Sequence, residues 1–297
     1  MSKYEGSAGF TSSRRYRWLS IAAFVAVLVA SAAVAGVAFV RNREVSPDDV
    51  DCTRAKCVAL TFDDGPTPFT DRLLQVLSAN NAKATFFLIG NKVAADPDSA
   101  KRIADAGMEV GNHTWEHANM STVPREDIPT RLSKATAAIT AATGRAPKLL
   151  RTAGGLITDT VLAEAKQQGL ADINWDVIPF DWINDANTAA TRYMLMTQIK
   201  PGSVVLLHDT YSSTVDLVDQ FLPVLKANGY HLVTVSHLVG TRAPGSSYGS
   251  RVNGPPANDL TDIPASRIPA LPATPSPKPA PNVPITDIPN QNPGGPQ

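Results

Sequence analysis

The sequence predicts an α/β fold, a distorted or incomplete TIM-like (β/α) barrel, from three observations. Between residues 57 and 238, short apolar or β-branched runs alternate with longer amphipathic segments, as in repeated βα units around a parallel sheet. Several helix-like segments end at glycine or asparagine, the usual signal at a helix C-terminus. No glycine-rich phosphate loop follows the first predicted strand, which disfavours a nucleotide-binding sheet.

The alternation predicts seven strands separated by six helices. The short apolar runs predict strands at residues 57–62, 84–89, 109–112, 148–151, 171–177, 204–208 and 232–235. The amphipathic segments predict helices at residues 69–79, 91–106, 125–143, 159–168, 188–199 and 215–227. One helix between each successive pair of strands suits a barrel better than an open doubly wound sheet.

An apolar run without charges, residues 18–40, precedes this domain. Roughly 20 helical residues cross a hydrocarbon layer about 30 Å thick, so the run is predicted to be a transmembrane anchor. Lysine and arginine before it place residues 1–17 in the cytoplasm and the domain outside, as a single-pass protein of the cell membrane. The alternative is a signal peptide cleaved near residues 33–35, Ala-Val-Ala, which would secrete the domain.

The segments flanking the domain differ from it in composition. Residues 41–51 are predicted to be a linker, and the domain itself covers residues 52–241. Residues 242–297 contain 14 of the 24 prolines and are predicted to be a disordered tail, either in contact with the cell wall or an inert spacer.

Cys52 and Cys57 are the only cysteines, and outside the cell they are predicted to form a disulfide; a partial metal site is the alternative.

The charge of the chain argues against a nucleic-acid partner. The formal net charge is +0 and the isoelectric point is about 7.0, so no global field attracts polyanions. The hydrophobic share of 43% is enough to build a core.

Two adjacent carboxylates, Asp63 and Asp64, end the first predicted strand in the segment 61–66, Thr-Phe-Asp-Asp-Gly-Pro. In a barrel the C-terminal ends of the strands converge on one mouth, where one carboxylate can face a metal and the other a substrate. Asp-Gly-Pro is also ordinary turn chemistry, so this segment alone does not establish a site.

Two histidines, His113 and His117, follow the third predicted strand. On a helical turn this spacing places both on one face, where they can bind one metal ion. Histidines also pair by chance, but the chain has only 5 of them, and Asp64 supplies a carboxylate. Such a set leaves coordination positions open, as a catalytic metal requires. We predict one divalent ion, Zn²⁺ by default, with Co²⁺, Mn²⁺ or Ni²⁺ as substitutes.

Further polar residues end or follow predicted strands. His208 closes the apolar segment 204–208 and can protonate a leaving group, although a histidine bonded into the structure is the alternative. Arg151 and the pair Asp181-Trp182 are placed similarly, so all of these side chains can reach one mouth.

These motifs, in this order, resemble those of the polysaccharide deacetylase family, also called the NodB homology domain or carbohydrate esterase family 4. The resemblance spans about residues 57–239, and the motifs Thr-Phe-Asp-Asp-Gly and His-Thr-x-x-His match fully. It implies a metal-dependent hydrolase that removes N-acetyl groups from a polysaccharide. Asp63 would be the general base and His208 the general acid. The implied metal ligands are Asp64, His113 and His117.

The resemblance also implies supporting roles around these residues. Arg151 would orient Asp63, and Asp181 would orient His208. The pocket for the acetyl methyl group would be lined by Trp182 and Leu206.

The third motif departs from the family pattern. The family usually has Arg-x-Pro-x-Gly with an aromatic residue before the glycine, whereas residues 151–155 read Arg-Thr-Ala-Gly-Gly. The backbone N–H of Gly154 aligns with the family's oxyanion donor and survives any change of side chain, so catalysis is expected to remain possible. The fit of the substrate is expected to change.

Peptidoglycan is the predicted substrate, because an anchored enzyme reaches only what surrounds the cell. A chitooligosaccharide deacetylase and a xylan O-acetyl esterase are the alternatives, and no nucleotide is expected. The altered third motif also allows a non-catalytic wall-binding protein. The spacing His-x-x-Glu-His in residues 113–117 allows an inverted-zincin protease, although that hypothesis leaves Asp63 and His208 unused.

Overall fold

The structure is a computed structural model that describes residues 46–250. The predicted cytoplasmic segment 1–17, the predicted anchor 18–40 and the tail after residue 250 lie outside the described residues. Those three remain predictions. Among the helices of residues 46–250, none has the length and apolar character needed to cross a membrane.

In the described part of the chain, eight parallel strands form one curled sheet. Strands β1 to β8 are Lys56–Gly65, Thr85–Leu88, Glu109–Asn112, Leu149–Leu150, Ala171–Ile173, Val204–His208, Tyr230–Leu232 and Ser247–Tyr248. Neighbours follow the order β6-β1-β2-β3-β4-β5-β8, and β7 pairs with the first residues of β1. This sheet, with helices between its strands, confirms the predicted distorted (β/α) barrel.

The helices lie between the strands and cover the outer face of the sheet. Helices α1 to α8 are Thr70–Ala79, Gly90–Ala95, Pro97–Asp105, Ile128–Thr143, Asp159–Gln167, Thr188–Gln198, Ser212–Ala227 and Val235–Val239. Apolar residues of α1 and α7, among them Leu73, Leu77 and Phe221, belong to one buried cluster with the outer face of β1.

The side chains of β1 alternate between the two faces of the sheet. Val58, Leu60 and Phe62 are buried against the helices. Ala59 belongs to a second apolar cluster inside the barrel. Because successive side chains of a strand point to opposite faces, Asp63 shares the inner face with Ala59.

The barrel closes through a short, irregular pairing. Val177, which follows β5, forms an isolated parallel bridge with Val205 of β6. The N–H of Leu206 donates to the carbonyl of Val177 over 2.9 Å. Residues 176–177 therefore connect the β5 side of the sheet to β6, so that β5 and β6 border the same barrel interior.

Several predicted elements have bounds that differ from those observed. The predicted strand 171–177 ends at Ile173, because Val177 pairs with Val205 of β6 instead. The predicted helix 91–106 is two helices, because Pro97 lacks the N–H needed to continue the first one. The carboxylate of Asp96 accepts a hydrogen bond from Ser99 N–H over 3.1 Å and caps the second helix. The predicted strand 232–235 ends at Leu232, because Thr234 caps helix α8.

The folded domain extends beyond its predicted bounds at both ends. Val50, in the predicted linker, is buried against Cys57. Cys52 and Cys57 are joined by a disulfide. The predicted tail begins at residue 242, yet residues 247–248 form β8 on the edge of β5. Composition concealed this strand, because it is short and lies among the glycines and serines that open the Pro-rich segment.

We expect β8 to contribute strongly to stability. Three backbone hydrogen bonds of 2.8 Å join residues 246–250 to residues 172–175. Ser247 Oγ also donates to the buried carboxylate of Asp172 over 2.6 Å. At about 1 kcal/mol per hydrogen bond, a chain ending at residue 241 should lose about 2–4 kcal/mol of unfolding free energy relative to one ending at residue 250. Urea denaturation measures the difference.

A pair of glycine substitutions provides a matched control for the same strand. Gly249 and Gly144 have φ angles of +82° and +73°, so alanine strains the backbone at both. Of the two, only Gly249 would bring a Cβ against a neighbour, 2.9 Å from Trp175 N. Gly249→Ala should therefore lower the free energy of unfolding more than Gly144→Ala does, and equal losses would contradict the assigned role of β8.

Candidate active site

An irregularity at the end of β1 brings two adjacent carboxylates into one site. The pairing of β1 with β2 changes register between Asp63 and Gly65, and Asp64 has a φ of 72°, in the left-handed region. In a regular strand, neighbouring side chains point to opposite faces. Because of the bulge, Asp63 and Asp64 line the same cavity.

Asp64, His113 and His117 form a cluster that fits a divalent metal ion. One potential ligand atom from each residue lies within 4.8 Å of the others. Asp64 Oδ1 is 3.3 Å from His113 Nε2 and 3.4 Å from His117 Nε2. This oxygen is buried, and within residues 46–250 it has no hydrogen-bond partner of normal geometry. A carboxylate oxygen with two imidazole nitrogens is a donor set that Zn²⁺ accepts.

Neighbouring groups orient His113 and shift the pKa values of the residues in the cluster. His113 Nδ1 is 2.7 Å from the carbonyl oxygen of Arg151, which can only accept, so Nδ1 carries the proton and Nε2 faces Asp64. Burial lowers the pKa of His113, but the carboxylates of Asp63 and Asp64 outweigh burial and raise it. Burial raises the pKa of Asp64, but the two histidines outweigh it and hold that pKa well below its usual range. The negative charges of Asp63 and Asp64, which raise the pKa of His113, also favour a cation bound at this cluster.

The two histidines do not lie on a helical turn as predicted. Residues 113–119 form an irregular loop, in which Thr114 has a φ of 67°. Thr114 N–H donates to Asn112 Oδ1, and Thr114 Oγ donates to the carbonyl of Glu116, each over 2.7 Å. The inverted-zincin hypothesis requires these residues on one helix, and Glu116 is instead paired with Arg131. The loop does not fit that hypothesis.

Arg151 lies inside the barrel with no exposed surface and holds Asp63. Its Nη1 donates to Asp63 Oδ1 over 2.8 Å and to Thr61 Oγ over 2.6 Å. The remaining donors reach the carbonyls of Ile173 and Asn174 at 2.8 Å and 3.1 Å. Such a network fixes the guanidinium, and through it one oxygen of Asp63, while Asp63 Oδ2 is 3.8 Å from His113 Nε2.

His208 is held by the buried carboxylate of Asp181. Asp181 accepts hydrogen bonds from His208 Nδ1 over 3.0 Å and from the His208 backbone N–H over 2.8 Å. Thr214 Oγ also donates to it, over 3.0 Å. Burial lowers the pKa of His208, but Asp181, with Asp64 and Asp63 farther away, outweighs burial and raises it to about 9. His208 is therefore protonated at neutral pH.

A cavity of about 710 Å³ opens onto the metal-ligand cluster, Asp63 and His208, whereas Arg151 and Asp181 do not line it and reach it only through their partners Asp63 and His208. Its polar lining includes Asp63, Asp64, His113, His117 and His208. Its apolar lining includes Trp175, Ile178, Trp182 and Leu206. Gly154, with a φ of 60°, also borders the cavity. The cavity thus combines a charged floor with an apolar wall.

Comparison with known proteins agrees with this geometry. A family model described as "Polysaccharide deacetylase" matches residues 50–173. A peptidoglycan-N-acetylglucosamine deacetylase of Bacillus cereus is 36% identical over 189 residues, which cover 62% of this chain and 68% of that protein. The chain belongs to the polysaccharide deacetylase family. It is thereby a hydrolase of N-acetyl groups.

For two further relatives of this deacetylase, the match extends over most of the relative's own chain. A chitooligosaccharide deacetylase of a Bradyrhizobium species is 36% identical over 202 residues, which cover 62% of this chain and 90% of that protein. The structure of the peptidoglycan deacetylase PdaC from Bacillus subtilis superposes with a TM-score of 0.60 at 35% identity, covering 64% of this chain and 92% of that one.

The cavity of the deacetylase also contains residues that the sequence motifs did not identify. Lys92 and Tyr211 line it, although neither belongs to a recognised motif. Each follows a strand by a few residues, at the barrel end where the other site residues lie. Attention to every residue that closely follows a strand could have found them.

Proposed function

We propose that this deacetylase hydrolyses N-acetyl groups of a cell-wall polysaccharide, with peptidoglycan as the substrate and Zn²⁺ as the metal. One observation carries the proposal. Asp63 and His208 are register partners on adjacent strands, so the general base and the general acid stand side by side next to the Asp64, His113 and His117 cluster. Co²⁺, Mn²⁺ or Ni²⁺ can replace Zn²⁺ at a site with these ligands.

Asp63 is assigned the first proton transfer. Held by Arg151, it accepts a proton from the water that attacks the amide carbonyl carbon. A Zn²⁺ ion bound by Asp64, His113 and His117 would polarise that carbonyl and lower the pKa of the water. The backbone N–H of Gly154 is assigned as a donor to the developing oxyanion.

His208 is assigned the second proton transfer. The bond between the carbonyl carbon and the sugar nitrogen breaks only when that nitrogen receives a proton. Because Asp181 keeps His208 protonated at neutral pH, Nε2 can supply it. The products are acetate and a free amino sugar. Trp182 and Leu206, on the apolar wall of the cavity, receive the acetyl methyl group.

Peptidoglycan is preferred because of the predicted location and the relatives. An enzyme anchored by residues 18–40, with its domain outside the cell, meets the wall first. Secretion after cleavage would give the same access. The Bacillus cereus relative is named for peptidoglycan and the Bradyrhizobium relative for chitooligosaccharides, so the latter are the second candidate. Acetylated xylan is the third, because the same groups can hydrolyse an ester.

Acetate release tests the proposal. The Zn²⁺-loaded protein is incubated with peptidoglycan, chitooligosaccharides and acetylated xylan, beside protein treated with a chelator. We expect metal-dependent release of acetate, fastest from peptidoglycan. A folded, Zn²⁺-loaded protein that binds peptidoglycan but releases no acetate from any polymer would instead indicate the wall-binding alternative.

The pH dependence of the reaction should respond to Asp181. The Asp181 carboxylate stabilises the protonated imidazole, so Asp181→Asn should lower the pKa of His208. A general acid acts only while protonated, so kcat/KM falls as pH rises through this pKa. The alkaline fall should therefore begin at lower pH in the variant. A pH profile of both proteins measures the shift, and an unchanged alkaline limb would remove His208 from the role of acid.

A further inference from the structure

The start of helix α2 contacts both segments that carry the metal-ligand residues. Lys92 Nζ donates to the carbonyl oxygen of Asp64 over 2.8 Å. The N–H of Gly90 donates to the carbonyl of Thr114, and the N–H of Asn91 donates to that of Trp115, each over 2.9 Å. Three consecutive residues therefore join the end of β1 to the loop between His113 and His117.

Two of the three acceptors belong to residues with unfavourable backbone conformations. Asp64 and Thr114 have φ angles of 72° and 67°, which residues with side chains rarely adopt. Such conformations persist only where surrounding contacts hold them. At Asp64 this conformation makes the bulge that turns the carboxylate toward His113 and His117. A hydrogen bond to the Asp64 carbonyl therefore stabilises the orientation of a ligand without touching its carboxylate.

The close packing of Gly90 fixes the position of Lys92. A Cβ on Gly90 would lie 2.6 Å from Ala135 Cα and 2.8 Å from the ring of Trp115, so only glycine fits there. Lys92 itself is half-buried and borders the cavity. A positive charge beside a cation site lowers the affinity of that site for a cation. If Lys92 strengthens cation binding, it must therefore do so through its hydrogen bond to the Asp64 carbonyl.

We propose that Lys92 is a positioning residue for the metal-ligand set, which holds the Asp64 bulge in its ligating conformation through the Asp64 carbonyl. The inference rests on the proposed metal site. It predicts that loss of the Lys92 donor weakens Zn²⁺ binding, although the substitution also removes a neighbouring positive charge. An effect of charge alone has the opposite sign.

Zn²⁺ affinity of the metal-free full chain, measured by competition with a chromophoric chelator, tests the proposal. Lys92→Met should weaken Zn²⁺ binding about 10- to 100-fold, the usual effect of removing a group that orients a ligand. Lys92→Arg keeps a donor and should remain within about threefold of the wild type, a difference below 1 kcal/mol. Lys101→Met, at an exposed ion pair with Asp105, is the control and should leave the affinity unchanged.

Two further measurements separate positioning from misfolding. Lys92→Gln is neutral but keeps a donor, so it should bind Zn²⁺ more tightly than Lys92→Met does. Visible absorption of the Co²⁺-loaded proteins should differ from the wild type in Lys92→Met and match it in Lys92→Arg. Circular dichroism of the metal-free variants checks folding, and if Lys92→Met does not fold, the comparison of Lys92→Gln with Lys92→Arg and the wild type replaces it.

The outcomes are distinct for the two proposals. Unchanged or tighter Zn²⁺ binding by folded Lys92→Met overturns the positioning role, as does Lys92→Arg binding as weakly as Lys92→Met. In the replacement comparison, Lys92→Arg binding Zn²⁺ outside the threefold range of the wild type overturns it, because arginine keeps both the donor and the charge. A wild type that binds Zn²⁺ but releases no acetate removes the proposed function and leaves the role of Lys92 intact.

Discussion

Asp63→Asn should reduce acetate release by roughly 10²–10⁴-fold, because an amide cannot accept the proton of the attacking water. The loss should appear in kcat rather than in the binding of polymer. The affinity for Zn²⁺ should fall far less than the rate of acetate release, because Asp63 is not one of the assigned metal ligands. Asp63 Oδ2 lies 3.8 Å from His113 Nε2, whereas Asp64 contacts both histidines. Single-turnover assays with chitooligosaccharide, beside Zn²⁺ titration, measure the two effects separately.

The control for this substitution is another aspartate with an arginine partner. Asp71 pairs with Arg102 on the surface, over 2.7 Å. Asp71→Asn removes the same charge and should leave acetate release unchanged. If Asp63→Asn retained more than about a tenth of the wild-type rate while folded, the general base would have to be another group.

Arg151→Met should cause a larger loss of stability than removal of β8 or either glycine substitution. Arg151 has no exposed surface, and its four hydrogen-bond partners include the carboxylate of Asp63, which is itself buried. Removing one member of a buried ion pair leaves an uncompensated charge and typically costs about 3–5 kcal/mol. Urea denaturation measures the loss of unfolding free energy.

A surface arginine again provides the comparison. Arg102→Met breaks the exposed pair with Asp71 and should change the free energy of unfolding far less, because water solvates both groups after the change. In the absence of urea, folded Arg151→Met should also release acetate more slowly, because Asp63 loses its orienting donor. A stability loss as small as that of Arg102→Met would show that the buried pair of Arg151 and Asp63 does not stabilise the fold.

The βα alternation and the polar residues at strand ends could be predicted from the sequence for a physical reason. In a parallel barrel each strand is buried on both faces, so it appears as a short apolar run, and the residue that follows it faces the mouth. That rule places Asp63, Arg151 and His208 together before any coordinates are known. The structure brings Asp63 and His208 into one cavity, with Arg151 hydrogen-bonded to Asp63 beneath it.

Other features depended on contacts that a sequence pattern does not encode. The sequence predicts a helical turn at residues 113–117, where two histidines four positions apart fit that period, but the segment belongs to the irregular loop 113–119. Its shape instead depends on Asn112 and on carbonyl contacts with Gly90 and Asn91, which come from other parts of the chain. Strand β8 escaped prediction because two residues are too few to show a period.

The barrel class could be predicted from the sequence, as could the residues at the mouth and their resemblance to the deacetylase family, because periodicity and short motifs are local properties of the chain. Three features are visible only in the folded molecule: Asp63 and Asp64 share one side of β1, Lys92 reaches the Asp64 carbonyl, and residues 247–248 complete the sheet. Those features arise from a bulge and from hydrogen bonds between residues distant in sequence, so they exist only once the chain has folded.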